Sequence, residues 1–471
     1  MTSNYLAAAK TGTSVLKRMG FTLATLSLSL SVSLAYAAPV FEQLDADYGG
    51  RVMVTSGQSL PGSDITIKGS GFKPGQEITL INNGTVLNPK GAYVADDKGE
   101  FEASLTLPKT AEPGTHPVVV QASKPYFAAV ADLKVSPDVP LSGQDAFDAA
   151  ANKLVQGVYQ SAYSPKNDQI FVSSAVGRPP VKESHIVKVN AKTLAIEANV
   201  APAADASNND GRLMAVYGVA VDDANDTVWF TNTRQNTVAV YKQSDLSLVK
   251  QFDAGLTPHS RDVLIDEKHG KAYVATPFEA QIVIIDTKTL EQVKNLAIDS
   301  SKRGSKFGSF SMALDRDTDK LYVVSGQSAE IAIIDTKTET VEKVFPVQGA
   351  RFATGIAFDP KTKRLFVSAQ GSDNLLIVDS ASGETLHNVA VGAGALSVAF
   401  DPVSDKAYVA NRGAGTVTVV DPQGKIVANL DGGTFPNHVA VDGKGNVYVI
   451  NKSRGKDDPK GDRISRIALK Q

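Results

Sequence analysis

Seven times between Ser164 and Leu469 the chain repeats one unit, and that repetition limits its fold more than any other property. Each unit opens on a short run of mostly apolar residues that ends at a reference point: Ser164, Asp222, Asp266, Asp315, Asp359, Asp401 and Asp442. After a first step of 58 residues, stretched by the insertions GRPPVKE and APAADASNNDGR, the steps are 44, 49, 44, 42 and 41. An aromatic stands seven residues past the first six points and six past the last: Phe171, Trp229, Tyr273, Tyr322, Phe366, Tyr408 and Tyr448. In a chain that is 7% aromatic, this register marks a framework position packed between neighbouring sheets.

Within each unit KAYVA, KLYVV or RLFVS supplies a second strand, QIVII, EIAII or TVTVV a third, and a looser segment such as residues 425–430 a fourth. Four strands per repeat, seven times over, predict a seven-bladed β-propeller, an all-β fold. The strands are apolar on both faces, as sheets covered on each side require. The last unit ends after RISRIAL, its third strand, so its outermost strand must come from earlier in the chain. Residues 149–156 are expected to supply it and so remove an open edge. Asp286, Asp335, Asp379 and Asp421, in the turn after the third strand, read as Asx-turn anchors rather than metal ligands.

Upstream, residues 39–137 alternate short strands with turn signals such as Pro61-Gly62, Lys73-Pro74-Gly75 and Pro113-Gly114, the pattern of a small β-sandwich. Residues 138–152 read as a linker and 153–471 as the propeller. Lys17 and Arg18 precede an uncharged run, residues 21–34, and then Ala35-Tyr36-Ala37, so residues 1–37 read as a signal peptide cut near Ala37. That run is too short for a bilayer helix, which needs about twenty residues. A periplasmic or secreted product with no membrane span in the mature chain is expected.

AYVAN, VWFTN, AYVAT, LYVVS and VYVIN, with YGVAV at residues 217–221, resemble the YVTN repeats of bacterial β-propellers. The order of units and the ending PNHVAVDGKGNVYVINKSRG…DRISRIAL are similar to the periplasmic YncE-like branch. ITIKGSGFKPGQEITL and GEFEASLTLPKTAEPGTHPVVVQAS resemble bacterial Ig-like domains of the IPT/TIG kind. The resemblance implies the fold and leaves the activity open, since such propellers include binding proteins and enzyme domains alike.

The chain has no cysteine, which excludes disulfides, thiolate metal sites and haem attached through CxxCH. Its formal charge of −2 becomes about −5 without Lys10, Lys17 and Arg18, which is not the balance of a general nucleic-acid binder. The five histidines of the repeats form no HxxxH or HExxH arrangement, and neither a GxSxG elbow nor a glycine-rich phosphate loop occurs. No catalytic residue, cofactor or metal is expected, and the protein is expected to be a monomer.

Loops leading into inner strands and loops between second and third strands share one face of a propeller. On that face the sequence places a polar ring that includes Asn232, Asn411 and Asn451. It also places the cations Arg234, Arg261, Arg303, Arg351, Arg412 and Lys452 there, with Tyr217 beside them. These ten residues are the candidate ligand-binding set. A basic, polar mouth suits an anionic ligand or an envelope protein in a non-enzymatic binding or scaffold role. Single-stranded DNA binding by the same face and a propeller hydrolase or lyase are the alternatives.

Overall fold

The computed structural model describes residues 48–54, 58–123, 125–207 and 210–470; the expected signal peptide, residues 1–37, lies outside them. Among the described residues no helix is long and apolar enough to cross a membrane.

Seven four-stranded antiparallel sheets succeed one another from Val158 to Leu469. Their first strands are Val158–Ser164, Val216–Asp222, Val263–Asp266, Ser309–Asp315, Ala353–Asp359, Ala395–Asp401 and Phe435–Val441. Neighbouring first strands touch in chain order, and that of blade seven lies against that of blade one, which closes a ring around a channel. The chain is therefore an all-β, seven-bladed propeller.

The framework aromatics explain the stacking. Trp229 of blade two packs with Val263, Ile265 and Ala272 of blade three, and Tyr448 of blade seven with Val158 and Ile170 of blade one. All seven are at most 5% exposed. The turn aspartates act as expected: Asp286 Oδ1 accepts the amides of Lys288 and Thr289 at 3.0 and 2.9 Å, and Asp335 Oδ1 that of Thr338 at 2.8 Å.

Ring closure comes from Phe147–Lys153, which pairs antiparallel with Arg463–Leu469 over its whole length. The donor thus begins two residues before the expected segment and ends three before it. Residues 147–152, read from sequence as linker, belong to the seventh sheet, because an unpaired third strand there would leave a row of backbone groups without partners. Phe147 anchors the strand, 9% exposed and edge-on to Tyr408 at 6.5 Å.

The region before the ring contains two antiparallel sheets. One joins Arg51–Val54, Asp64–Ser70 and Phe101–Thr106; the other is centred on Glu77–Asn82, Gly114–Ser123 and Phe127–Val135. Alternate residues such as Ile65, Ile67, Ile78, Leu80, Val118 and Val120 form their buried side. From Gly49 onward this two-sheet module and the ring form one compact unit. Their junction is polar: the Lys134 ammonium meets Asp373 of the fifth blade at 2.7 Å, and Ser136 Oγ donates to the same carboxylate at 2.6 Å. Between them, Asn429 Nδ2 donates to the Val139 carbonyl at 2.8 Å, tying the connecting segment to blade six.

Candidate anion site at the channel mouth

One position of the repeat, five residues before each reference point, builds the mouth. It holds Tyr159, Tyr217, Arg261, Phe310, Thr354, Leu396 and Asn437 in blades one to seven. Blade-to-blade bonds tie part of the ring together: Asn437 Nδ2 donates to the Tyr159 carbonyl at 2.7 Å, and Thr354 Oγ1 to the Leu396 carbonyl at 2.8 Å. Gly157 sets up the first of these residues. It sits at φ 79°, and a Cβ there would come within 2.7 Å of the Ala175 carbonyl oxygen.

Three half-buried cations surround Tyr159. Arg261 Nη1 donates to its hydroxyl at 2.9 Å, and the Lys452 ammonium stands 5.1 Å from its ring centre. Arg412 Nη1 donates to Asn437 Oδ1, while its guanidinium lies 4.9 Å from the Phe435 ring. Arg261 also stacks 4.3 Å over Phe310. Among the described residues none of the three makes an ion pair with a carboxylate. Asp262, next in sequence to Arg261, instead accepts from Ser311 Oγ at 3.0 Å and the Met312 amide at 3.3 Å.

The electrostatic consequences follow from burial and charge. Burial alone would raise the Tyr159 phenol, yet Arg261, Lys452 and Arg412 outweigh it and hold it below the usual tyrosine value. Burial is also the main reason that Arg412 and Lys452 are lowered. His438, in the channel below, is pulled down to about 3 by burial and then by Arg261; its Nδ1 accepts the Ser161 amide at 3.3 Å. It is a neutral channel-lining group at ordinary pH.

Two hollows meet at Arg261 and Phe310. The deeper, about 310 Å³, is lined by inner strands and includes His438. The outer, about 280 Å³, is walled by Tyr159, Tyr217, Arg261, Phe310, His259 and Phe352. Among the described residues there is no group of three or more His, Asp or Glu side chains able to hold a metal ion.

Of the residues named from sequence, Tyr217, Arg234 and Arg261 line the outer hollow, and Arg412 and Lys452 join them around Tyr159. Asn232, Asn411 and Asn451 stand elsewhere: they are at most 3% exposed and spend their amides inside their own blades. Asn411 Nδ2 reaches the Val391 carbonyl at 2.8 Å and Thr418 Oγ1 at 2.7 Å, because buried amide donors cut off from water need acceptors nearby, while its Oδ1 has no partner among the described residues. Arg351 turns to Asp132 of the two-sheet module at 3.4 Å. Arg303 lies in an exposed turn and lines neither hollow. Tyr159, Phe310 and Asn437 were missed, although reading each repeat at the offset of Tyr217 and Arg261 finds all three.

No family model and no curated protein matches the chain. Among solved structures it is similar to Kuenenia stuttgartiensis hydrazine synthase, at 16% identity and a TM-score of 0.53, over 64% of this chain and 94% of that one. At that identity the likeness concerns the fold alone: it places the chain among β-propeller proteins.

Proposed function

We propose that this chain is an exported, non-enzymatic propeller protein of the YVTN, YncE-like kind that binds an anionic group of a ligand or envelope partner at its channel mouth. One observation carries the reading: Arg261, Arg412 and Lys452 converge on Tyr159 with no ion-paired carboxylate among the described residues. Holding cations partly out of water costs several kcal/mol each without a counter-charge, so a cluster kept this way implies that the counter-charge arrives with a ligand. The export reading rests on the sequence of residues 1–37. The Ig-like, IPT/TIG-type reading of residues 39–137 is likewise retained from sequence, as a structural or spacer module.

Single-stranded DNA is the second reading, favoured by Phe278 and Phe352, which are 54% and 44% exposed beside Arg234. Calorimetric titration with succinate, inorganic phosphate and oligothymidylate at low and high salt tests both. The double variant Arg261→Met, Arg412→Met should lose anion binding while keeping its melting temperature. Undiminished binding in that variant sinks the proposal. A preference for oligothymidylate that falls steeply with salt favours the second reading.

A further inference from the structure

The outer hollow is more specific than a basic patch. Its walls are mostly aromatic: Tyr159 and Tyr217 meet edge to face at 4.8 Å and 86°, Phe310 and Phe352 at 5.5 Å and 71°, and His259 lies against Phe278 at 4.6 Å. Two of these side chains are held on unusual backbone. His259 and Phe352 both have φ 50°, a left-handed conformation that strains a residue with a Cβ. Phe352 is kept there by space made for it: a Cβ on Gly326 would come within 2.9 Å of the Phe310 ring and 3.4 Å of the Phe352 ring, and one on Gly371 within 3.0 Å of the Phe352 Cβ. Strain and glycine clearances both serve to present an aromatic face that is 44% exposed.

The charged donors narrow the choice of anion. Arg234 and Arg261 line the hollow, and Arg261 already spends one nitrogen on the Tyr159 hydroxyl. Among the described residues no glycine lines it, so it lacks the glycine-rich turn that often cradles a phosphate. A guanidinium edge beside stacked rings matches a planar carboxylate in geometry and charge. Resting on the anion-binding reading above, we infer that the outer hollow takes a carboxylate borne on a short arm from an aromatic ring, whether a free aryl acid or the carboxyl-terminal aromatic residue of a polypeptide. The ring lies among Phe278, Phe310 and Phe352, and the carboxylate faces Arg261 and Arg234.

Calorimetry on the whole chain with a matched set of probes tests this. Hydrocinnamate should bind about tenfold or more tighter than cyclohexanepropionate, which keeps the acid and a ring of similar size but loses its aromaticity, and than hydrocinnamamide, which keeps the aromatic ring and loses the charge. N-acetylphenylalanine separates the two sources: tighter binding than hydrocinnamate assigns the site to a polypeptide terminus, weaker binding to a free acid. The exposed substitutions Phe278→Leu and Phe352→Leu should lower hydrocinnamate affinity about tenfold and leave cyclohexanepropionate affinity unchanged. Equal binding of the two acids to the unaltered protein overturns the inference and leaves the anion site standing. Tighter binding of thymidine monophosphate than of either aryl acid also overturns it. Failure of every anion to bind overturns both this inference and the reading it rests on.

Discussion

The Lys134 ammonium of the two-sheet module lies 2.7 Å from the Asp373 carboxylate of the fifth blade, and the aspartate is 1% exposed. That carboxylate also accepts from Ser136 Oγ at 2.6 Å and from the Gly394 amide at 2.7 Å, so one buried group joins the module to two adjacent blades. A further link, Gln58 Nε2 to the Gly413 carbonyl, falls beside Arg412. The module is thereby fixed at one side of the mouth rather than swinging free on its connecting segment.

Lys134→Met should leave the Asp373 charge buried without its cation and destabilise the docked state by about 3 kcal/mol. Differential scanning calorimetry should then resolve an earlier transition for the module, and the segment near Pro137 should become sensitive to protease. A single unshifted transition would show that the clamp contributes nothing.

The closing strand should matter more than its length suggests. Phe147→Ala removes the side chain packed against Tyr408 and should cost about 3 kcal/mol, read as a lowered midpoint in urea. Deleting residues 147–153 exposes a full strand edge and should produce aggregation on heating. A deletion variant that melts like the intact protein would mean that the seventh sheet does not need its fourth strand.

Tyr159 should ionise below the usual tyrosine value, whereas burial pushes Tyr273 and Tyr448 upward. Since the folded state releases this proton more readily than the unfolded chain, its contribution makes stability rise with pH in the alkaline range below about 10. A bound anion neutralises the surrounding cations and should move the titration back up. Difference absorbance of the tyrosinate, recorded with and without succinate and compared with Tyr159→Phe, checks both shifts. An unaltered titration in the Tyr159→Phe variant would remove Tyr159 from the early-ionising group.

His438 predicts the opposite limb of the pH curve. Its folded value of about 3 lies below the unfolded value of about 6.5, so between those two pH values the unfolded state takes up a proton that the native state refuses. The stabilising contribution is complete above about pH 6.5 and is lost as pH falls toward 3. His438→Gln should flatten the decline in urea stability across that window. An equally steep decline in the variant would assign the acid sensitivity to other groups.

The fold was legible because it repeats. Seven aromatics in one register, and strands apolar on both faces, can be satisfied only by sheets stacked in a ring, and the missing last strand announced that the ring is closed from upstream. The cations of the mouth were legible for a similar reason, since loops at equivalent points of each blade share a face. What sequence position does not show is which way a loop residue is turned. Asn411 and Arg412 are neighbours, yet the asparagine is consumed by its own blade and the arginine reaches Asn437 in the next. Arg351 and Arg261 occupy comparable loops, and only packing of the two-sheet module assigns the first to Asp132 and leaves the second on Tyr159. Composition and spacing determined the architecture and the sign of its open face, because both depend on periodicity. The tertiary structure alone decided that three cations meet at one phenol, because that depends on blades far apart in the chain being brought side by side by ring closure.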